Sequence, residues 1–537
     1  MSQSNDIVAG MPGSSPEHDF PGLLLKQSPS QKSFATYLFQ ENKIYSLLMI
    51  FLVIVQFIIF KMLYPYPDFF SDSYSYLFAA YAHLDANIWP IGYSKFLLVF
   101  HWFTHSAIAL IFFQYIFLEI AALYFYHTVV YFFPTGKNTR TMLCLFLFFN
   151  PLNLYLANYV TSDAIFIGLS LIWVSQLIWI IHRPRPYQVF VQALLFIIAF
   201  AFRYNAMIYP LLAGVAFFMS RQKLSWKIAG SLLGPLLMIW FILFSREATL
   251  KMTGTAQFPP ILGGWQWGNN ALYMREHITE DSTRFPSKET AELDQIARNY
   301  FRSTPPQYRE LPSYVANFFI RQPEAPLKQY YSTHYQPKDA MADVIAWGKC
   351  APIFGQYGLY LIKRHPLAFA RHFLLVNSKN YFLPPLEKLE IYNLGQDEIW
   401  PMGVFWFDLP SPKIKSISKT LQGNLLILYP AFFMILNLYF MWSLFQFVRR
   451  KTFQFAHRYF TYAILLISGF VFLNFAFSVF ANIIVIRYQV FPMIICLSFS
   501  MLLTDCLELQ AVKLREYAQQ KQPVSEGSSH PIQTQLS

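Results

Sequence analysis

The chain has 537 residues, of which 55% are hydrophobic, 19% are aromatic and only 13% are charged, whereas an ordinary soluble domain carries about 25% charged residues. This composition excludes a soluble globular protein and predicts an all-α polytopic membrane protein. The net charge is +12, but the basic residues form short clusters between apolar runs. That distribution is typical of cytoplasmic loops, so we expect no nucleic acid partner.

The hydrophobic pattern divides the chain into five segments with about ten transmembrane helices. Both termini are expected in the cytoplasm because the basic clusters alternate with apolar runs in that register. The N-terminal tail lacks the apolar core of a signal peptide. The expected segments are the tail 1–44, a transmembrane module 45–244 with its first outer loop at 64–105, an extracytoplasmic region 245–424, C-terminal transmembrane helices 425–505 and a second cytoplasmic tail 506–537.

The first outer loop carries an acidic segment directly after the first membrane-length run, 45–63. The segment reads PDFFSDSYSYLFAAYAHLDANIWPIGYSK. If Asp72 is a helix N-cap, the residues at 74, 77, 78, 81 and 84 form one apolar stripe with helical spacing. We expect this amphipathic helix to lie flat on the membrane surface, with the Asp72 carboxylate at its exposed start.

The remaining spans of the N-terminal module are separated by basic turns. The run 141–181 is too long for one crossing, so two helices are predicted with a turn at 158–162 and Asp163 at the start of the second. Between the basic clusters HRPRP and RQKLSWK, two short helices are expected to meet at Arg203, Tyr204 and Asn205. Single spans are predicted at 106–133 and 228–244.

The sequence of the long polar region after this module shows turn chemistry and one helix-like stretch. The stretch GTAQFPPILGGWQWGNN has turn chemistry, and a helix is indicated near ETAELDQIARNYF. The segment 355–382 is apolar but interrupted by charges, which favours a pair of surface-lying helices over a crossing. Three final spans are predicted at 425–448, 459–480 and 486–503.

Two arginines break the charge pattern of the short loops. Arg203 in FRYNAMIYP and Arg487 in IRYQVFP lie at predicted outer helix mouths, where a charge is costly unless it is paired or faces water. A guanidinium offers two parallel donors to a phosphate, so both are candidates for anion binding. The alternative is that each reaches lipid headgroups or pairs structurally with Asp72 or Asp163.

Four short elements together resemble the C-type integral-membrane glycosyltransferases, the superfamily of the protein O-mannosyltransferases and bacterial aminoarabinose transferases. They are DSYSY at 72–76, WPIGY at 89–93, FRYNAMIYP and RYQVFP. In that superfamily an acid in the first outer loop, within an Asp-Glu-x-x-Tyr-like pattern, is the catalytic base. Asp72 and Tyr76 match the acid and the tyrosine, whereas Ser73 replaces the second acid. The likeness covers roughly 45–245 and 425–505.

The resemblance implies an inverting enzyme of the bacterial inner membrane whose active site faces outward. It would transfer a hexosyl or pentosyl group from a polyprenyl-phosphate donor to a glycan, lipid or protein acceptor. Asp72 would be the general base, with Asp68 as a rival, and Arg203 and Arg487 would hold the lipid phosphate. The further substrate-binding candidates are Tyr76, Lys95, Tyr488 and Asp163, although a helix cap is the favoured role of Asp163.

The sequence favours no metal or cofactor beyond the lipid-linked donor. Carboxylates are not clustered, and no zinc motif or glycine-rich phosphate loop occurs. Membrane lipids are the other expected partners.

Two alternative functions stay open. One is a transporter or flippase, which usually has related halves and broken helices near the midplane. The other is a polymerase or ligase of lipid-linked glycans that does not depend on a first-loop aspartate.

Overall fold

The structure, a computed structural model, describes residues 33–313 and 315–521, and these residues form helices and no strands. Eight helices are long and apolar enough to cross a membrane, and two shorter apolar helices lie at Gln188–Phe202 and Tyr204–Met219. The predicted all-α membrane architecture is confirmed, whereas the count of ten spans stays a prediction. Most of the two predicted tails, 1–32 and 522–537, lies outside the described residues.

The first half of the chain forms a bundle around one central helix. That helix, Asp163–His182, is apolar on all sides, as expected for a helix buried among others, and 83% of its most apolar stretch is buried. It packs against the helices Ala107–Phe132, Gln188–Phe202 and Tyr209–Met219. In chain order the helices are α1 (Lys43–Leu63), α2 (Ser71–Tyr81), α3 (Gly92–His101), α4 (Ala107–Phe132), α5 (Lys137–Phe148), α6 (Pro151–Asn158), α7 (Asp163–His182), α8 (Gln188–Phe202), α9 (Tyr209–Met219) and α10 (Leu224–Thr253).

Breaks between these helices follow the local chemistry. Pro151 cannot continue α5, and the side chain of Asn150 caps α6 by accepting a hydrogen bond from Leu152 N at 3.1 Å. Arg203 has an extended backbone between α8 and a short 3₁₀ turn, Tyr204–Ile208. The span predicted at 228–244 is part of a longer helix, because α10 runs without a break from Leu224 to Thr253.

The long region after α10 is largely helical and has its own hydrophobic core. The stretch GGWQWGNN, predicted as turns, lies inside the helix α11 (Leu262–Arg275), which packs along α14 (Ala340–Arg364). The segment 355–382 holds the end of α14 and, after a break at His365, a second helical run, 366–382, whose last part, Leu375–Phe382, is α15; the predicted surface position of this pair stays a prediction. The helices of this half are α11 (Leu262–Arg275), α12 (Lys288–Ser303), α13 (Pro326–His334), α14 (Ala340–Arg364), α15 (Leu375–Phe382), α16 (Tyr429–Arg449), α17 (Arg458–Ala481) and α18 (Val490–Lys521).

The loops between the long helices gather at two ends of the bundle. At one end, Gln222 Nε2 donates to the carbonyl oxygen of Arg185 at 3.0 Å. The loop before α8 and the loop after α9 therefore lie at the same end of the bundle. Gly136 N also donates to Asp505 Oδ2 there, at 2.8 Å. At the other end, called the site end below, α1, α8 and α17 finish and α7, α9 and α18 begin.

Candidate active site

A cavity of about 220 Å³ lies at the site end. Its wall is built by α2, the start of α7, the link between α8 and α9, the start of α11 and the turn between α17 and α18. Four charged side chains line it: Asp72, Asp163, Arg203 and Arg487. Residues from distant parts of the sequence therefore share one small space.

Asp72 enters this cavity from the first turn of α2. The helix begins at Ser71, so Asp72 is its second residue and not its N-cap, and only 5% of the residue is exposed. The predicted exposed carboxylate is therefore wrong, because the side chain turns inward to two cations. Ser73, which replaces the second acid of the superfamily pattern, is fully buried and accepts a hydrogen bond from Phe70 N at 3.2 Å.

The outer face of α2 also differs from the predicted apolar stripe. Leu77, a member of that stripe, is fully buried, and Leu84 lies beyond the end of the helix. Tyr74 does not face lipid alone, since the Trp400 ring stacks on it with centroids 4.6 Å apart. Protein from the long polar region thus covers part of the surface that the sequence assigned to the membrane.

Two cations hold the carboxylate of Asp72. Lys388 Nζ donates to Oδ1 at 2.8 Å, and Arg487 Nη2 donates to Oδ2 at 3.0 Å. Burial alone would raise the pKa of Asp72, but the charges of Lys388 and Arg487 outweigh burial and hold that pKa well below its ordinary value. Asp72 is therefore ionised in this ionic group.

Asp163 is the first residue of α7 and pairs with both arginines. Arg203 Nη1 donates to Oδ1, and Arg487 Nη1 lies 3.3 Å from Oδ2. Thr161 Oγ1 also donates to Oδ2, at 3.1 Å. The favoured role as a helix cap is wrong, because Ser162 occupies the cap position and no side-chain hydrogen bond caps the described helix start.

Arg487 connects the two carboxylates and keeps a donor, its Nε, without a partner in the described part of the chain. It lies on a 3₁₀ turn, Ile486–Tyr488, and its Nη2 also donates to Tyr488 Oη at 2.9 Å. Its Nε is buried and has no hydrogen-bond partner among the described residues. Burial lowers the pKa of Arg487, but the neighbouring Tyr488 and the two aspartates outweigh burial and raise it well above its ordinary value.

The ionic group carries excess positive charge. Three cations, Lys388, Arg203 and Arg487, contact two carboxylates, Asp72 and Asp163, which leaves one net positive charge. Tyr488 supports the arginines, since its ring centroid lies 4.7 Å from the guanidinium carbon of Arg203. A buried excess cation next to an unused donor is suited to an anionic ligand.

The other predicted site residues divide between the cavity and the surface. Tyr76 and Tyr488 line the cavity, and Tyr76 Oη lies 3.4 Å from Ser162 Oγ. Lys95 lies outside the lining and pairs with Asp85 at 2.7 Å on the exposed surface.

Asp68, the rival base, lies behind the cavity wall. Its Oδ1 accepts a hydrogen bond from Asn393 N at 2.8 Å, and its backbone N donates to Asn158 O at 2.9 Å. Burial raises its pKa well above the ordinary value. Through these hydrogen bonds Asp68 joins the first loop to the segment before α7.

Lys388 is the important site residue that sequence reasoning missed. It lies on a short 3₁₀ turn, Glu387–Leu389, and its neighbour Glu387 pairs with Arg321. The Tyr159 hydroxyl donates to the carbonyl oxygen of Lys388 at 2.9 Å, which fixes the turn against the first module. A lone lysine in a polar region gives no signal of this contact.

No family model, curated protein or solved structure matches this chain. The side chains of the cavity are therefore the guide to its chemistry.

Proposed function

We propose that this chain is a membrane glycosyltransferase that uses a polyprenyl-phosphate-linked sugar and a hydroxyl acceptor on a glycan, lipid or protein outside the cytoplasm. One observation carries the proposal: a buried, ionised carboxylate lines a cavity at a membrane-helix end together with two arginines, and the nearby Lys388 gives the ionic group one net positive charge. Transfer from a sugar phosphate needs both parts, a base for the acceptor proton and cations for the departing phosphate.

In the proposed step, Asp72 accepts the proton of the acceptor hydroxyl. The electron pair of that oxygen forms a bond to the anomeric carbon, and the bond from this carbon to the phosphate oxygen breaks with its electron pair on the phosphate. The products are the glycosylated acceptor and polyprenyl phosphate. Arg203 and Arg487 stabilise the charge that grows on the leaving oxygen, and attack opposite the phosphate inverts the anomeric centre.

The donor itself would prepare the base. While Lys388 and Arg487 both pair with Asp72 they stabilise its ionised form, which makes the carboxylate a weak base. A phosphate near Arg487 competes for the same guanidinium donors. Each donor that turns to the phosphate leaves the carboxylate less stabilised, so the pKa of Asp72 rises when the donor is bound.

The test is transfer of a labelled sugar from polyprenyl-phosphate donors in membranes that hold the protein at matched expression. Asp72→Asn is expected to lose about 10²- to 10⁴-fold in rate, as for a missing general base. Arg203→Ala is expected to lose about 10²- to 10³-fold, as for a missing transition-state donor. Asp68→Asn is the matched control and should retain activity, since Asp68 lies outside the cavity lining and an asparagine oxygen can still accept the hydrogen bond from Asn393 N.

Full activity of Asp72→Asn would remove Asp72 as the base. If the wild type transfers no sugar from any polyprenyl-phosphate donor, the glycosyltransferase proposal fails. The charged cavity would then favour a transporter or flippase, or a polymerase or ligase of lipid-linked glycans.

A further inference from the structure

A second set of polar side chains lines the same cavity and carries no charge. Asn205 lies in the link between α8 and α9, Gln266 lies on α11, and Asn482 follows the end of α17. These three carboxamides contact none of the four charged side chains of the cavity through a described hydrogen bond. They form a chemically separate group, called the amide group below.

Hydrogen bonds within the amide group leave free donors and acceptors. Gln266 Nε2 donates to Asn482 Oδ1 at 3.1 Å and to Asn270 Oδ1 at 2.8 Å. Asn482 Oδ1 also accepts from Ile483 N at 2.7 Å. Among the described residues, Gln266 Oε1, Asn482 Nδ2 and the whole carboxamide of Asn205 have no such partner, so they are available to a ligand.

The backbone around the amide group is held in place by buried asparagines. Asn270 Nδ2 donates to the carbonyl oxygen of Ala481 at 3.1 Å, which joins α11 to the end of α17. Asn377 Nδ2 donates to the carbonyl oxygen of Asn482 at 2.6 Å. Two elements that bear ligand-facing amides are thus fixed relative to each other, as expected of a preorganised binding site.

We propose that the amide group binds the hydroxyls of one neutral sugar ring, an inference that rests on the proposed function and names its substrate class. Carboxamides both donate to and accept from hydroxyl groups. An amino sugar would need a carboxylate beside its ammonium, and the amide group contains none. The two carboxylates of the cavity, Asp72 and Asp163, belong to the separate ionic group.

The size and the apolar wall of the cavity suit the binding of one sugar ring. Its volume, about 220 Å³, is below the ~300–1,000 Å³ of pockets that bury drug-sized ligands, so an oligosaccharide does not fit inside. Trp89 and Tyr204 line the cavity as well. Their flat apolar faces can cover the C–H side of a sugar ring while the amides hold its hydroxyls.

The experiment measures binding to the purified full-length protein without an acceptor. The probes are a polyprenyl phosphate, its glucosyl and mannosyl monoesters, and an amino-sugar monoester. A neutral monoester is expected to bind at least about tenfold more tightly than the bare phosphate, since one or two good hydrogen bonds contribute about 1.4 kcal/mol. The amino-sugar monoester should gain nothing over the bare phosphate.

Two variants assign that gain to the amide group. Asn205→Leu and Gln266→Leu should each reduce the tenfold preference for the neutral monoester and leave the affinity for bare polyprenyl phosphate unchanged. Asn205 has no internal side-chain partner among the described residues, so its replacement tests binding without a folding defect. Gln295→Leu, on the exposed side of α12, is the matched control and should change neither affinity.

The outcomes separate donor from acceptor and this inference from the proposed function. If donor binding is unchanged but both variants raise KM for a neutral glycan acceptor, the ring bound by the amides is the acceptor's, and the inference holds. It is overturned if the amino-sugar monoester binds best, or if neither donor affinity nor acceptor KM responds. If the protein still discriminates between the donors in binding but transfers no sugar, the glycosyltransferase proposal fails and the inference about sugar binding stays.

Discussion

Lys388 and Asp72 are 316 positions apart in the sequence, yet their charged atoms lie 2.8 Å apart. The ammonium also lies 4.2 Å from the centroid of the Phe70 ring. Burial lowers the pKa of Lys388 to about 8, although the Asp72 carboxylate opposes this shift. Because Lys388 lies outside the cavity lining, we infer that it positions the base and does not touch the substrate.

The state of Lys388 predicts an alkaline limit to activity. The side chain is charged below pH about 8 and neutral above it, so wild-type sugar transfer should fall as the pH rises through that value. Lys388→Arg stays charged over the whole range and should retain activity at higher pH. Lys388→Met should lower kcat by about 10²-fold, the cost of a misplaced catalytic group.

The pH dependence of kcat between pH 6 and 10 checks this prediction. Lys95→Met is the control, since Lys95 forms only an exposed ion pair with Asp85 and should leave the profile unchanged. An alkaline limit at the same pH in Lys388→Arg would show that another group causes it.

Sequence reasoning found the site residues that break a local rule. Arg203 and Arg487 violate the charge pattern of the loops, and Asp72 is an acid directly after a membrane span. The contacts of these residues were not predictable, because Arg487 pairs with positions 415 and 324 residues away. The local motif at Asp163 predicted a helix cap, but its arginine partners come from distant helices.

At the scale of elements, the packing of α11 on α14 shows why a glycine-rich stretch was misread. A Cβ atom on Gly264 would lie 1.7 Å from the carbonyl oxygen of Ala351, and one on Gly358 would lie 2.3 Å from the carbonyl carbon of Trp267. These glycines permit close contact between two helices and do not form turns. Glycine content alone does not distinguish the two roles.

This close contact predicts a sharp difference between two glycine substitutions. Gly264→Ala forces α11 away from α14 and should destabilise the fold by about 1–3 kcal/mol, the usual cost of overpacking. Gly469→Ala is the control, because its Cβ would meet Leu212 Cδ2 at an ordinary 3.4 Å and alanine favours a helix. Thermal unfolding in detergent compares them, and equal midpoints for Gly264→Ala and the wild type would contradict the packing argument.

At the scale of the whole molecule, the two ends of the bundle differ in their basic residues. The loops away from the site end carry the clusters KNTR, HRPR, RQK and RRK. Short loops with excess lysine and arginine face the cytoplasm. The hydrogen bond between Gln222 and Arg185 places both flanks of α8 and α9 at this basic end, in agreement with an even number of crossings between them.

The charge difference predicts that the cavity opens outside the cytoplasm. Asp85 is exposed beside α2 at the site end, and Lys137 is exposed at the start of α5 at the basic end. Single cysteines at these positions can be labelled with a membrane-impermeant maleimide in right-side-out vesicles. Asp85→Cys should react at once, and Lys137→Cys should react only after the membrane is opened.

The native cysteines interfere little with this labelling. Cys350, Cys496 and Cys506 are buried, and Cys144 is half-buried. A Cys144→Ser background therefore removes the one native thiol that competes for the reagent. The reverse labelling pattern would put Asp72 and the two arginines on the cytoplasmic side. A polyprenyl-phosphate sugar presented outside could not reach them there, so the labelling decides the sidedness on which the proposed reaction depends.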